Sequence, residues 1–133
     1  MAPLPTDVLL AALQARFPGL LALYLYGSAA RGEDGPHSDV DLAVLLPGKA
    51  DPVALWEAGN ELALRLARDV DLVDLRAAST VMQYQIITTG QRLWTRDAQA
   101  LQYESFILSA KTALDEARAG LLADITSTGR VYG

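Results

Sequence analysis

Residues 27–46 read GSAARGEDGPHSDVDLAVLL, and the way this stretch joins two apolar segments decides the fold. Just before it, 20–26 (LLALYLY) is a short, unbroken apolar run that predicts a buried strand. Gly27-Ser28 stops that run. Residues 27–37 are small or turn-forming and predict a loop with one helical turn after Ser28. Asp39 to Leu46 predicts a second strand, closed by Pro47-Gly48. A buried strand therefore enters a glycine-serine turn, and the next strand opens on Asp39-Val40-Asp41.

That juxtaposition has a chemical reading. A glycine at the end of a strand lets backbone N–H groups approach a phosphate, and the Ser28 hydroxyl adds a donor. Arg31 can reach the same phosphates with its planar fork. Asp39 and Asp41 are two apart on a strand, so their side chains leave one face. Two carboxylates held that close repel each other, and a divalent cation offsets the repulsion. Oxygen ligands beside a triphosphate suit Mg²⁺. A lone Gly-Ser is a turn and a lone Asp-x-Asp a solvated strand entrance. Their placement on consecutive strands favours the catalytic reading.

Working outward, Thr6-Asp7 predicts a helix start, with Leu9, Leu10, Leu13 and Phe17 on one face and Pro18-Gly19 as its end. Asp51-Pro52 predicts an N-cap and first turn for a helix reaching about Arg68. Leu55, Leu62 and Leu66 face inward in that helix, and Glu61 and Arg65 form an i,i+4 pair. Val70 to Leu75 predicts a third strand. Ser79 or Thr80 caps a shorter helix ended by Gly90, and Gln91 to Trp94 adds an edge strand. A long helix from about Asp97 to Asp124 carries Tyr103, Phe106, Ile107, Ala110, Leu114, Ala117 and Leu121 on one stripe. Residues 1–125 are expected to form one domain, and 126–133 a flexible tail. The fold class is α/β, or α+β in stricter terms: a small mixed sheet of three to five strands with helices mainly on one face.

The chain has 133 residues, 51% of them hydrophobic, enough for one packed domain. It has no cysteine, which excludes disulfides and thiolate zinc sites. No apolar run reaches the roughly 20 residues that span a bilayer, and the N-terminus lacks a signal-peptide pattern. A cytoplasmic protein without membrane contact is expected. The formal charge of −5 argues against a broad nucleic-acid surface.

The spacing of Gly27-Ser28 to Asp39-Val40-Asp41 resembles the nucleotidyltransferase superfamily of DNA polymerase beta. The fuller string, with Arg31-Gly32 and Ser38, is similar to its minimal nucleotidyltransferase branch, and the resemblance covers nearly the whole chain. It implies a polymerase-beta-like core and a third carboxylate on a later strand. Asp71 is the choice, because it stands mid-strand with Val70 and Leu72 turned to the packed face. Asp69, placed in the loop, and Asp74, facing the other side, are the alternatives. Asp39, Asp41 and Asp71 would then bind two Mg²⁺ ions, with Asp71 also taking the acceptor proton, while Ser28 and Arg31 hold the departing pyrophosphate. In the MntA-like antitoxins, the resemblance implies AMP transfer from ATP to a tyrosine of a cognate HEPN-domain ribonuclease toxin, which silences it.

The function expected is therefore that of an ATP-dependent protein adenylyltransferase antitoxin, with homo- or hetero-oligomers possible. A chain this short is expected to borrow its acceptor site from the partner. Its rivals are a small-molecule nucleotidyltransferase of the antibiotic-modifying kind and an antitoxin that neutralises by contact alone. His37 reads as a solvated turn residue, Glu33 and Asp34 as loop surface, and Trp56 and Trp94 as core or edge packing. Arg130 and Tyr132 fall in the tail.

Overall fold

The computed structural model describes residues 4–32 and 39–128, with side chains described up to residue 123. His37, Glu33, Asp34, Ser38, Arg130 and Tyr132 lie outside the described residues. The elements run α1 (Thr6–Arg16), β1 (Ala22–Tyr26), α2 (Gly27–Ala30), β2 (Val40–Leu45), α3 (Pro52–Leu66), β3 (Val70–Asp74), a 3-10 turn (Leu75–Ala77), α4 (Thr80–Thr89), β4 (Gln91–Thr95) and α5 (Gln99–Thr128). The four strands form one mixed sheet in the order β3-β2-β1-β4. β1 is antiparallel to both β2 and β4, and β2 is parallel to β3. The parallel pair exists because α3 makes the crossover between β2 and β3.

Strand parity divides the core. Leu23, Leu25, Leu42, Val44 and Leu72 face α1 and α3, where they meet Leu9, Leu13, Ala58 and Leu62. Ala22, Tyr24, Ala43 and Leu45 face the other way, against Leu75, Ile86 of α4 and Ala100 of α5. Helices were expected mainly on one face. The larger core is indeed under α1 and α3, but α4 and the start of α5 close the second face as well.

Several ends follow from single residues. Asp51 caps α3 by accepting from the Ala54 N–H at 3.0 Å, and Pro52 fills the first turn. Ser79, rather than Thr80, caps α4 by accepting from the Met82 N–H at 3.2 Å. α1 starts without a side-chain cap, from Pro5. Glu61 pairs with Arg65 at 2.9 Å as its spacing predicts, and also with Arg16 of α1 at 2.8 Å, joining the two helices.

One packing expectation fails, and the α5 stripe is only partly covered. Trp56, read as core or edge packing, lies on the outer face of α3 and is 69% exposed. The α5 stripe is buried only at its start. Ile107 is buried, but its neighbour Phe106 faces outward at 65% exposure, and Leu121, much farther along the helix, is 57% exposed. α5 also continues to Thr128, past the expected limit of Asp124 and into the segment expected to be a tail.

Candidate active site

The site is built at the end of β1. Gly27 follows the strand with φ +69°, a conformation that a side chain disfavours. A Cβ on Gly27 would also overlap Asp41 Oδ2, so the turn and the carboxylate are in direct contact. Ser28, partly buried, stands in the first turn of α2. Arg31 follows α2 and is exposed, its backbone N–H donating to Ser28 O at 3.2 Å.

Register aligns the acidic residues. Tyr26 is paired with Asp41 across β1 and β2, and Asp41 with Asp71 across β2 and β3. Residues directly opposite on neighbouring strands project to the same face. Tyr24 and Ala43, two positions back, belong to the core under α4 and α5. Tyr26, Asp41 and Asp71 therefore form one row at the end of that face. Asp39 is exposed, one residue ahead of β2.

Electrostatics couples the row. Burial, then the charges of Asp71 and Asp39, hold the Asp41 carboxyl above its ordinary range. Burial, then the charges of Asp71 and Asp41, push the Tyr26 phenol well up. The Tyr26 hydroxyl is buried and has no hydrogen-bond partner among the described residues. Asp71 is near enough to act on the phenol as a hydrogen-bonding group, but no bond of full geometry joins them.

The other two aspartates of the third-carboxylate region do different work. Asp69 is exposed before β3, and its carbonyl accepts from the Val40 N–H, starting the parallel ladder. Asp74 is buried on the opposite parity. It accepts from the Ala50 N–H at 2.8 Å and the Arg76 N–H at 3.0 Å, so its carboxylate anchors a loop and the 3-10 turn.

Beside the row, a cavity of ≈ 350 Å³ opens between the β1–α2 junction and α4. Tyr26, Gly27 and Arg31 line one side, and Ser79, Met82 and Gln85 the other. Sequence reasoning did not single out Tyr26 or this α4 wall. Tyr26 carried one signal, being the residue before Gly27 and of the same parity as Tyr24. The α4 residues carried none, because only the tertiary fold brings α4 over β1.

Among the described residues, no three acidic or imidazole side chains converge closely enough to enclose a metal ion. The donors of the row still suit a hard cation. They are all oxygen, and Asp41 carries mutual repulsion that a cation would offset.

A mixed four-stranded sheet that sets a glycine-serine turn against an acidic row is the core of a nucleotidyltransferase. Residues 10–99 match the family described as Polymerase beta, Nucleotidyltransferase, and the chain belongs to that family. It is 37% identical over 113 residues to the protein adenylyltransferase MntA of Shewanella oneidensis, covering 85% of this chain and 81% of that protein. Its structure is similar to one chain of a toxin–antitoxin crystal structure with AMP-PNP, at a TM-score of 0.82 and 35% identity, covering 92% of this chain and 99% of the other. It also resembles a chain in the complex of a tri-AMPylated Shewanella oneidensis HEPN toxin with its MNT antitoxin, at a TM-score of 0.74 and 33% identity, covering 91% and 95% of the two chains.

Proposed function

We propose that this protein is an adenylyltransferase antitoxin: it moves AMP from ATP to a hydroxyl, that of a tyrosine, on a cognate HEPN-domain toxin and so neutralises it. The observation that carries the reading is the pairing of Asp41 with Asp71 across β2 and β3, against the Gly27 turn. Likeness to the adenylyltransferase MntA and to complexes with an ATP analogue and an AMPylated toxin supports the substrate and partner.

Asp39, Asp41 and Asp71 are the residues that would hold two Mg²⁺ ions, which when bound neutralise the triphosphate and acidify the acceptor hydroxyl. The main-chain N–H groups after Gly27, the Ser28 hydroxyl and Arg31 bind the phosphates. The cavity beside them is of the size class that takes small molecules, and receives the nucleoside. Asp71 accepts the proton of the incoming hydroxyl. The new bond joins that oxygen to the α-phosphorus, the bond to the β-phosphate oxygen breaks, and pyrophosphate leaves on the Ser28 and Arg31 side. No helix among the described residues is long and apolar enough to cross a membrane, and a cytoplasmic site of action fits this chemistry.

Co-expression with the toxin tests the role. Wild-type protein should restore growth, and the folded Asp39→Ala/Asp41→Ala variant should not. Full protection by that variant would mean neutralisation by contact alone.

A further inference from the structure

We propose that Tyr26 is a positioning residue, whose hydroxyl donates a hydrogen bond to Asp71 and fixes its orientation when the acidic row takes up cation and nucleotide. The inference rests on reading Asp39, Asp41 and Asp71 as the metal-holding row.

Three observations carry it. First, Tyr26, Asp41 and Asp71 share one row on three adjacent strands. Tyr26 and Asp71 are thus two strand spacings apart, about 9–10 Å between backbones. The lengths of a tyrosine and an aspartate side chain together match that span, and the charge of Asp71 acts on the Tyr26 phenol.

Second, the Tyr26 hydroxyl is buried and makes no bond of full geometry among the described residues, while Asp71 acts on it both as a charge and as a hydrogen-bonding group. A buried donor without an acceptor is costly, so its retention needs an explanation. A phenylalanine would fill the same space without that cost.

Third, this fold satisfies a buried phenol where the role is structural. Tyr24, two residues earlier on the same face, donates to Glu104 Oε2 at 2.7 Å. Tyr26 instead faces the carboxylates of the site. A carboxylate with one oxygen engaged by a cation has its other oxygen to be oriented, and outer hydrogen bonds of that kind tune metal affinity.

The test is binding of a non-hydrolysable ATP analogue to the full chain, titrated with Mg²⁺, for wild type, Tyr26→Phe, Asp71→Asn and the double variant. Tyr26→Phe should raise the half-saturating Mg²⁺ concentration about 10–100-fold, while the metal-free melting temperature stays the same or rises. In the Asp71→Asn background, Tyr26→Phe should add nothing. An unchanged Mg²⁺ midpoint would overturn the proposal, and so would a shift of equal size without Asp71. If wild type itself binds the analogue without regard to Mg²⁺, the metal-holding row falls, and the role of Tyr26 with it.

Discussion

Asp41 is partly buried between the charges of Asp71 and Asp39, and its carboxyl titrates above the ordinary range for these reasons. A carboxyl raised in the folded state favours folding below its unfolded pKa, and that contribution is lost as pH rises through the folded value. Metal-free protein should therefore be strained at neutral pH by this one group. Asp41→Asn should raise the melting temperature in EDTA at neutral pH, with the gain vanishing in acid where both states are protonated. The same change should cut AMP transfer on the order of 10²–10³-fold or more, as expected for loss of charge at the reacting centre. A lower melting temperature for Asp41→Asn at neutral pH would contradict this account of the site. Gly27 is under a different constraint. Gly27→Ala should cost about 1–2 kcal/mol for the left-handed backbone alone, and should weaken nucleotide binding further by displacing Asp41, both measurable by melting and analogue titration.

On β3, two aspartates three residues apart face opposite ways, and their variants should fail differently. Asp74→Ala strands the Ala50 and Arg76 N–H groups, and should lower stability by about 1–3 kcal/mol per donor left unpaired. Asp71→Ala should leave the melting temperature nearly unchanged and abolish transfer. Thermal melts and transfer assays on the two variants separate the roles. That the two face opposite ways was legible in the sequence, because strand parity follows from Val70 and Leu72 being apolar. So were the cap at Asp51, that of α4 to within Ser79 or Thr80, and the Glu61–Arg65 pair, since each depends on residues a few positions apart. What could not be read locally depends on residues far apart in the chain. The Tyr26–Asp41–Asp71 row requires both strand registers, and the cavity wall on α4 requires the crossover that lays it on β1. The exposure of Trp56 was illegible for the same reason. An apolar side chain on a helix implies packing only where another element arrives to meet it.

Across the whole molecule, α5 is tied to the sheet through a buried carboxylate as well as through the buried Ala100. Glu104 accepts from Tyr24, and from Arg92 of β4 through two bonds at 2.8 and 2.7 Å. Breaking a fully buried pair costs about 3–5 kcal/mol. Arg92 remains partly in water, so Glu104→Ala should cost less, about 2–3 kcal/mol in denaturant unfolding, and loosen α5 without touching the acidic row. Ile107 is still buried and Lys111 still lies over Tyr84 of α4, but farther along the helix Leu121 and Leu122 are exposed at 57% and 63%. A helix with exposed apolar side chains is suited to a partner, and the related structures are toxin–antitoxin complexes. The central claim is that this chain uses its acidic row to place AMP on such a partner. The most direct measurement is the intact mass of the cognate toxin after incubation with this protein, ATP and Mg²⁺. The account predicts a gain of one or more AMP units, absent with the Asp39→Ala/Asp41→Ala variant. An unchanged toxin mass with the wild-type protein would contradict it.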